Sequence, residues 1–164
     1  MQSLIVDVID EQNLLCRFSK SVKHKQKIIR ELKTICGRIL NDANICFGHL
    51  NIAIVDGEAM HKYNIQFLGH DYVTDVISFR VDYKETSKNN NVQKYLEGDI
   101  LVCVDVAIDR AKEFGWSSLE EFFLYAIHGT LHLAGYDDKK AAAKKIMQKK
   151  ESEYINEIKN EIWN

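Results

Sequence analysis

The spacing of apolar and polar positions along this chain changes several times, and each change marks an element. Leu4-Ile5-Val6-Asp7-Val8-Ile9 is compact and β-branched, which predicts a first strand. From Val22 to Leu40 the apolar positions Val22, Ile28, Ile29, Leu32, Ile35, Cys36, Ile39 and Leu40 recur near helical period, predicting an amphipathic helix. Leu50-Asn51-Ile52-Ala53-Ile54-Val55 alternates and predicts a second strand, stopped by Asp56-Gly57. Glu58 to Phe67 reads as a short helix ended by Gly69, and Val73 to Arg80 alternates again as a third strand. Lys84 to Gln93, which includes Ser87-Lys88-Asn89-Asn90-Asn91, is the only low-complexity stretch and predicts a mobile surface loop.

Gly98 to Val104 is almost continuously apolar, as a central strand requires. Val106 to Phe114 is a helix closed by Gly115. The apolar run Leu119 to Leu133 opens with Ser117-Ser118-Leu119-Glu120-Glu121, a capping-box start. Lys139 to Trp163 predicts a long terminal helix, because Ala141-Ala142-Ala143 and the surrounding lysines are strong helix formers. This order predicts an α+β fold: a single domain over residues 1–164, with one mixed sheet of about four strands packed by helices.

Composition narrows the class. With 46% hydrophobic and 28% charged residues the chain is that of a soluble globular protein. No apolar run reaches membrane-spanning length and Met1-Gln2-Ser3-Leu4 is no signal peptide, so a cytoplasmic location without membrane contact is expected. Cys16, Cys36, Cys46 and Cys103 show no metal-type pairing and read as reduced, mostly buried thiols. The net charge of −2 does not mark the whole chain as a polyanion binder. Its distribution does mark two segments: Lys20, Lys23, Lys25, Lys27 and Arg30, and then Lys139, Lys140, Lys144, Lys145, Lys149 and Lys150.

The candidate chemistry lies just before that second cluster, in His128-Gly129-Thr130-Leu131-His132-Leu133-Ala134-Gly135-Tyr136-Asp137-Asp138. Side chains four apart share one helix face, so His128 and His132 project together, close enough to hold one metal ion. An unpaired imidazole on an apolar helix is costly to bury, which favours a shared ligand over chance spacing. Gly135 can end the helix in a left-handed turn that returns a carboxylate as third ligand, leaving a fourth position for water. Spacing alone leaves open which of Asp137 and Asp138 ligates and which caps the next helix. Such a zinc site lowers the pKa of bound water from near 16 to about 7. A metalloprotease carries a glutamate general base directly after the first histidine; Gly129 stands there, so peptide hydrolysis lacks its usual proton acceptor.

HGTLHLAGYDD, preceded by TDVISF at Thr74–Phe79 and EGDI at Glu97–Ile100, closely resembles the YbeY family of bacterial metal-dependent endoribonucleases that mature ribosomal RNA. The resemblance runs in order from the first strand to the motif helix. It implies a single-strand-specific endoribonuclease acting in late maturation of the small-subunit ribosomal RNA 3′ end and in ribosome quality control. It also implies one zinc ion per chain in a metalloprotease-like site, and ribosomal RNA and the small subunit as partners. By this resemblance the ligands are His128, His132 and, where the family usually has a third histidine, Asp138. Thr74, Asp75, Ser78 and Arg80 become groove residues; read without the resemblance, Thr74, Asp75 and Ser78 fix the strand and turn beside the site, and Asp99 is a strand-end hydrogen-bonding residue. The family usually carries a phosphate-binding arginine upstream of the Thr-Asp-Val motif; alignment places Leu68 there, and leucine cannot hold a phosphate. Two rival readings stay open at this point: a ribosome-associated factor whose metal site is structural, and a metal-dependent hydrolase of another substrate.

Overall fold

A computed structural model describes residues 3–88 and 91–162. It contains four strands, β1 (Ile5–Ile9), β2 (Ile45–Val55), β3 (Val76–Lys88) and β4 (Asn91–Cys103). Five helices accompany them: α1 (Val22–Asp42), α2 (Gly57–Leu68), α3 (Val104–Phe114), α4 (Ser118–Leu133) and α5 (Ala141–Ile162). The strands form one sheet in the order β1-β2-β4-β3. β1 and β2 pair parallel, as do β2 and β4, while β3 runs antiparallel to β4. The expected α+β fold with one mixed sheet is therefore present, and the apolar strand β4 is central in it.

Helix starts follow local chemistry. The side chains of Ser21, Asp56 and Ser117 accept hydrogen bonds from the backbone N–H groups of His24, Ala59 and Glu120, which satisfies donors that a helix N-terminus otherwise leaves free. Gly69 and Gly115 close α2 and α3 in the left-handed region, with φ of 69° and 74°. Alternation along the strands then divides the interior. Leu50, Ile52, Ile54, Leu96, Ile100 and Val102 face α1, α4 and α5 and build the main core. Ile77 and Cys103 point to the other side, where α2 brings Met60 and α3 brings Val106 against them. Cys36 and Cys103 are buried and all four cysteines are free; burial pushes the Cys36 thiol up to about 12, so it stays protonated and inert. Among the described residues no helix is long and apolar enough to cross a membrane.

Three segments correct the sequence reading. Lys84–Gln93 is not a loop: β3 continues to Lys88 and β4 begins at Asn91, with Lys84 opposite Tyr95, Glu85 opposite Lys94 and Thr86 opposite Gln93. This hairpin stands away from the core and is polar on both faces, so it carries no alternation, and Thr86 Oγ1 donates across it to the Gln93 carbonyl at 3.3 Å. Asn89 and Asn90 lie outside the described residues. The third strand starts at Val76 and not Val73, because Thr74 and Asp75 form the turn before it. β2 also begins earlier than Leu50, at Ile45, and a register shift against β4 lies between Ile45 and Phe47. At Gly48 φ is +114° and a Cβ would stand 1.9 Å from the Leu96 carbonyl oxygen, so only glycine fits.

Candidate metal centre

α4 lies across β3 and β4 with Gly129 at the closest approach. A Cβ there would meet Val76 Cγ2 at 2.8 Å, Ser78 Oγ at 2.9 Å and Ile100 Cγ2 at 3.2 Å. Two strand residues fasten the helix in this position. Ser78 Oγ donates to the Gly129 carbonyl at 3.0 Å, and Arg80 Nη2 donates to the Leu133 carbonyl at 2.8 Å. The Arg80 guanidinium also lies 4.7 Å from the Tyr83 ring centroid. With Gly129 against the sheet, His128 and His132 are rotated to the open side of the helix.

There the two Nε2 atoms stand 3.0 Å apart. The chain turns at Gly135, with φ of 103°, and returns Asp138, whose Oδ2 is 4.0 Å from His128 Nε2 and 3.9 Å from His132 Nε2. All the ligand atoms of this trio lie within 4.8 Å of one another. Asp137 does the other job open to that pair: its Oδ1 accepts from the Lys139 backbone N–H at 3.2 Å. Two nitrogens on a tetrahedral zinc stand roughly 3.3 Å apart, so the histidine pair fits one ion as it stands. The Asp138 side chain, 42% exposed, is free to close its last fraction of an ångström without repacking.

Both rings are oriented from behind. His128 Nδ1 donates to Glu151 Oε1 at 2.6 Å and His132 Nδ1 donates to the Tyr136 carbonyl at 3.1 Å, so each ring turns its Nε2 lone pair toward the trio. Burial pulls the His128 pKa down, but the hydrogen bond and charge of Glu151, with the charges of Asp75 and Asp138, outweigh it and hold the ring above its usual value. A raised His128 pKa means that a proton competes more strongly with a metal ion for this ring. Replacing Glu151 with glutamine is expected to lower the His128 pKa in an NMR titration and to weaken metal affinity about 10- to 100-fold, measured by competition with a chelating dye. An unchanged affinity would show that this pair only supports the fold.

The sequence reading did not include Glu151, although a signal was there. Met147, Glu151, Ile155 and Ile158 follow one another at helical spacing on α5, and a carboxylate on that apolar stripe needs a partner. The Tyr136 carbonyl carries no such signal, because a backbone contact depends on the turn and not on the residue type. Of the four groove residues, Asp75 borders the trio, its carboxylate accepting from Thr74 Oγ1 at 3.0 Å and from the Val76 N–H at 2.8 Å. Ser78 and Arg80 hold α4 to β3 through their bonds to the Gly129 and Leu133 carbonyls. Leu68 is the last residue of α2 and is 48% exposed.

Residues 15–159 match the family model described as Endoribonuclease YbeY. The chain belongs to the YbeY family. It is 32% identical over 155 residues to the endoribonuclease YbeY of Geobacillus sp. strain WCH70, covering 93% of this chain and 94% of that one. With the Salinibacter ruber protein of the same name it shares 32% identity over 127 residues, 77% of this chain and 81% of the other. The protein of that name from Elusimicrobium minutum is 48% identical over 91 residues, 56% of this chain and 61% of the relative. The solution structure of TM1509 from Thermotoga maritima matches at a TM-score of 0.56 and 26% identity, over 96% of this chain and 90% of that one. Asp138 and Leu68 are the two positions where the resemblance described above implied a histidine and an arginine. Asp138 adds a negative charge to the trio, which moves its preference toward harder ions than three histidines would select.

Proposed function

We propose that residues 1–164 form one metal-dependent endoribonuclease unit that cuts single-stranded RNA, in late maturation of the small-subunit ribosomal RNA 3′ end and in ribosome quality control. The proposed setting is the cytoplasm, with the small ribosomal subunit as partner and one zinc ion per chain held by His128, His132 and Asp138. The observation that supports this most is the number and bearing of the converging groups. Three partly exposed donors meet, both imidazoles aimed by partners behind them, which is the donor set of a catalytic site and not the four closed ligands of a structural one. When bound there, zinc supplies Lewis acidity and lowers the pKa of a bound water toward about 7.

The protein's own residues do the rest. Glu151 and the Tyr136 carbonyl hold the two rings in register, and Arg80 and Ser78 keep α4 from sliding on the sheet. No carboxylate general base follows the first histidine, and at Gly129 there is no room for one. Chelation of the metal is therefore expected to abolish cleavage of a single-stranded RNA and added zinc to restore it; cleavage that survives complete metal removal contradicts the proposal.

An RNA strand passing the trio also needs counter-charge. Lys139, Lys140, Lys144 and Lys145 directly follow Asp138, are exposed, and make no ion pair among the described residues, whereas Lys149 and Lys150 are paired with Glu153. Replacing the four free lysines with glutamine is expected to reduce the slope of log affinity against log salt by about 0.7 for each lost phosphate contact. A slope that does not change places the RNA elsewhere.

A further inference from the structure

α2 covers only part of its face of the sheet, on the side of β3 and β4 opposite α4. Beside it lies a groove of about 550 Å3 whose lining includes Tyr63, Phe67, Phe79, Arg80, Asn51 and Asp99. Its walls are aromatic. Tyr63 and Phe67 stack with centroids 5.9 Å apart, and Phe79 meets Phe67 edge-on at 5.0 Å. Phe67 is nevertheless 51% exposed and Val81 68%, so π and apolar surface stays open to solvent. The groove is polar at one place: Asn51 Nδ2 donates to Asp99 Oδ1 at 2.8 Å, across β2 and β4. That leaves Asp99 Oδ2, and a lone pair of Oδ1, without a partner among the described residues.

We infer that this groove is a guanine-selective base subsite for the RNA strand, an inference that rests on the endoribonuclease reading above. Exposed aromatic rings lining a groove take a nucleobase by stacking. The Asp99 carboxylate in the groove disfavours phosphate, so the base and not the backbone enters. The carboxylate offers acceptors only. Guanine alone among the four bases presents two adjacent donors, N1–H and the 2-amino group, on the edge that meets it. Adenine and cytosine set a ring acceptor beside their amino donor, and uracil flanks its single N–H with carbonyls. An arginine side chain from a protein has a similar fork of donors, and argininamide in the test below separates it from guanine. Arg80 also ties the groove to the metal centre, because its Nη2 binds the carbonyl of Leu133, the residue after His132. A strand seated by one base in the groove thus runs past the edge strand β3 toward the trio.

The test is NMR titration of the zinc-loaded protein with the four nucleoside 5′-monophosphates and, separately, with argininamide. The phosphate is common to the four nucleotides, so differences between them report the base. GMP is expected to bind about tenfold or more tightly than CMP or UMP, shifting Tyr63, Phe67, Phe79 and Leu101 signals. Asp99→Asn, which can keep the Asn51 contact, is expected to remove that preference while leaving the spectrum folded, and Phe67→Ala to weaken all four bases about fivefold or more. Equal binding of the four, a preference untouched by Asp99→Asn, or argininamide moving these signals while GMP does not, each overturns the inference. None of these outcomes bears on zinc-dependent RNA cleavage, which is measured without the groove, so failure here leaves the proposed function standing.

Discussion

Gly129→Ala is expected to lower the melting temperature by roughly 2–12 °C, from a packing cost of about 1–3 kcal/mol at about 2–4 °C per kcal/mol for a chain of this size. The new methyl group would enter a space already bounded at 2.8 Å by Val76 Cγ2, at 2.9 Å by Ser78 Oγ and at 3.2 Å by Ile100 Cγ2. Valine and isoleucine are stiff at χ1 and cannot swing aside, so α4 must lift from the sheet. That movement strains the Ser78 and Arg80 bonds to the helix and shifts His132 relative to Asp138. Metal affinity is therefore expected to fall together with stability, and Gly129→Glu to be worse on both counts. Adding Val76→Ala to Gly129→Ala removes one of the three contacts and is expected to recover part of the loss, a coupling between neighbours that independent sites do not show. Calorimetry and a metal titration on the three variants check this; a melting temperature unchanged by Gly129→Ala means that α4 is not held as described.

The same glycine shows what the sequence could and could not disclose. Its absence of a carboxylate was legible and argued against a peptidase, but the reason, a helix pressed on two β-branched strand residues, needed the crossing of α4 over β3 and β4. Periodicity located all five helices and the central position of β4, because each has a buried stripe or an apolar run that a two- or 3.6-residue period exposes. It failed at the β3–β4 hairpin, where both faces are wet and the pairing rests on cross-strand contacts between polar residues. The histidines were legible from spacing, and the geometry separates the two aspartates, Asp138 facing the histidines and Asp137 capping the turn. Ser78 and Arg80 read as groove residues in the sequence; their bonds to α4 were not legible there, because they depend on how the helix crosses β3. Glu151 comes from a helix 23 residues further on, a contact that no local pattern specifies.

The central claim is that the His128, His132 and Asp138 trio holds one metal ion that RNA cleavage requires. The most direct measurement compares wild type with His132→Ala, purified identically, for metal content and for cleavage of a single-stranded RNA, with circular dichroism to confirm the fold. His132 is partly exposed, so its truncation leaves the core intact. Wild type is expected to carry about one zinc per chain and to cut, and the folded variant to lose the metal and at least about a thousandfold in rate, as loss of the site's Lewis acid requires. A folded, metal-free variant that cuts RNA at the wild-type rate would contradict the account.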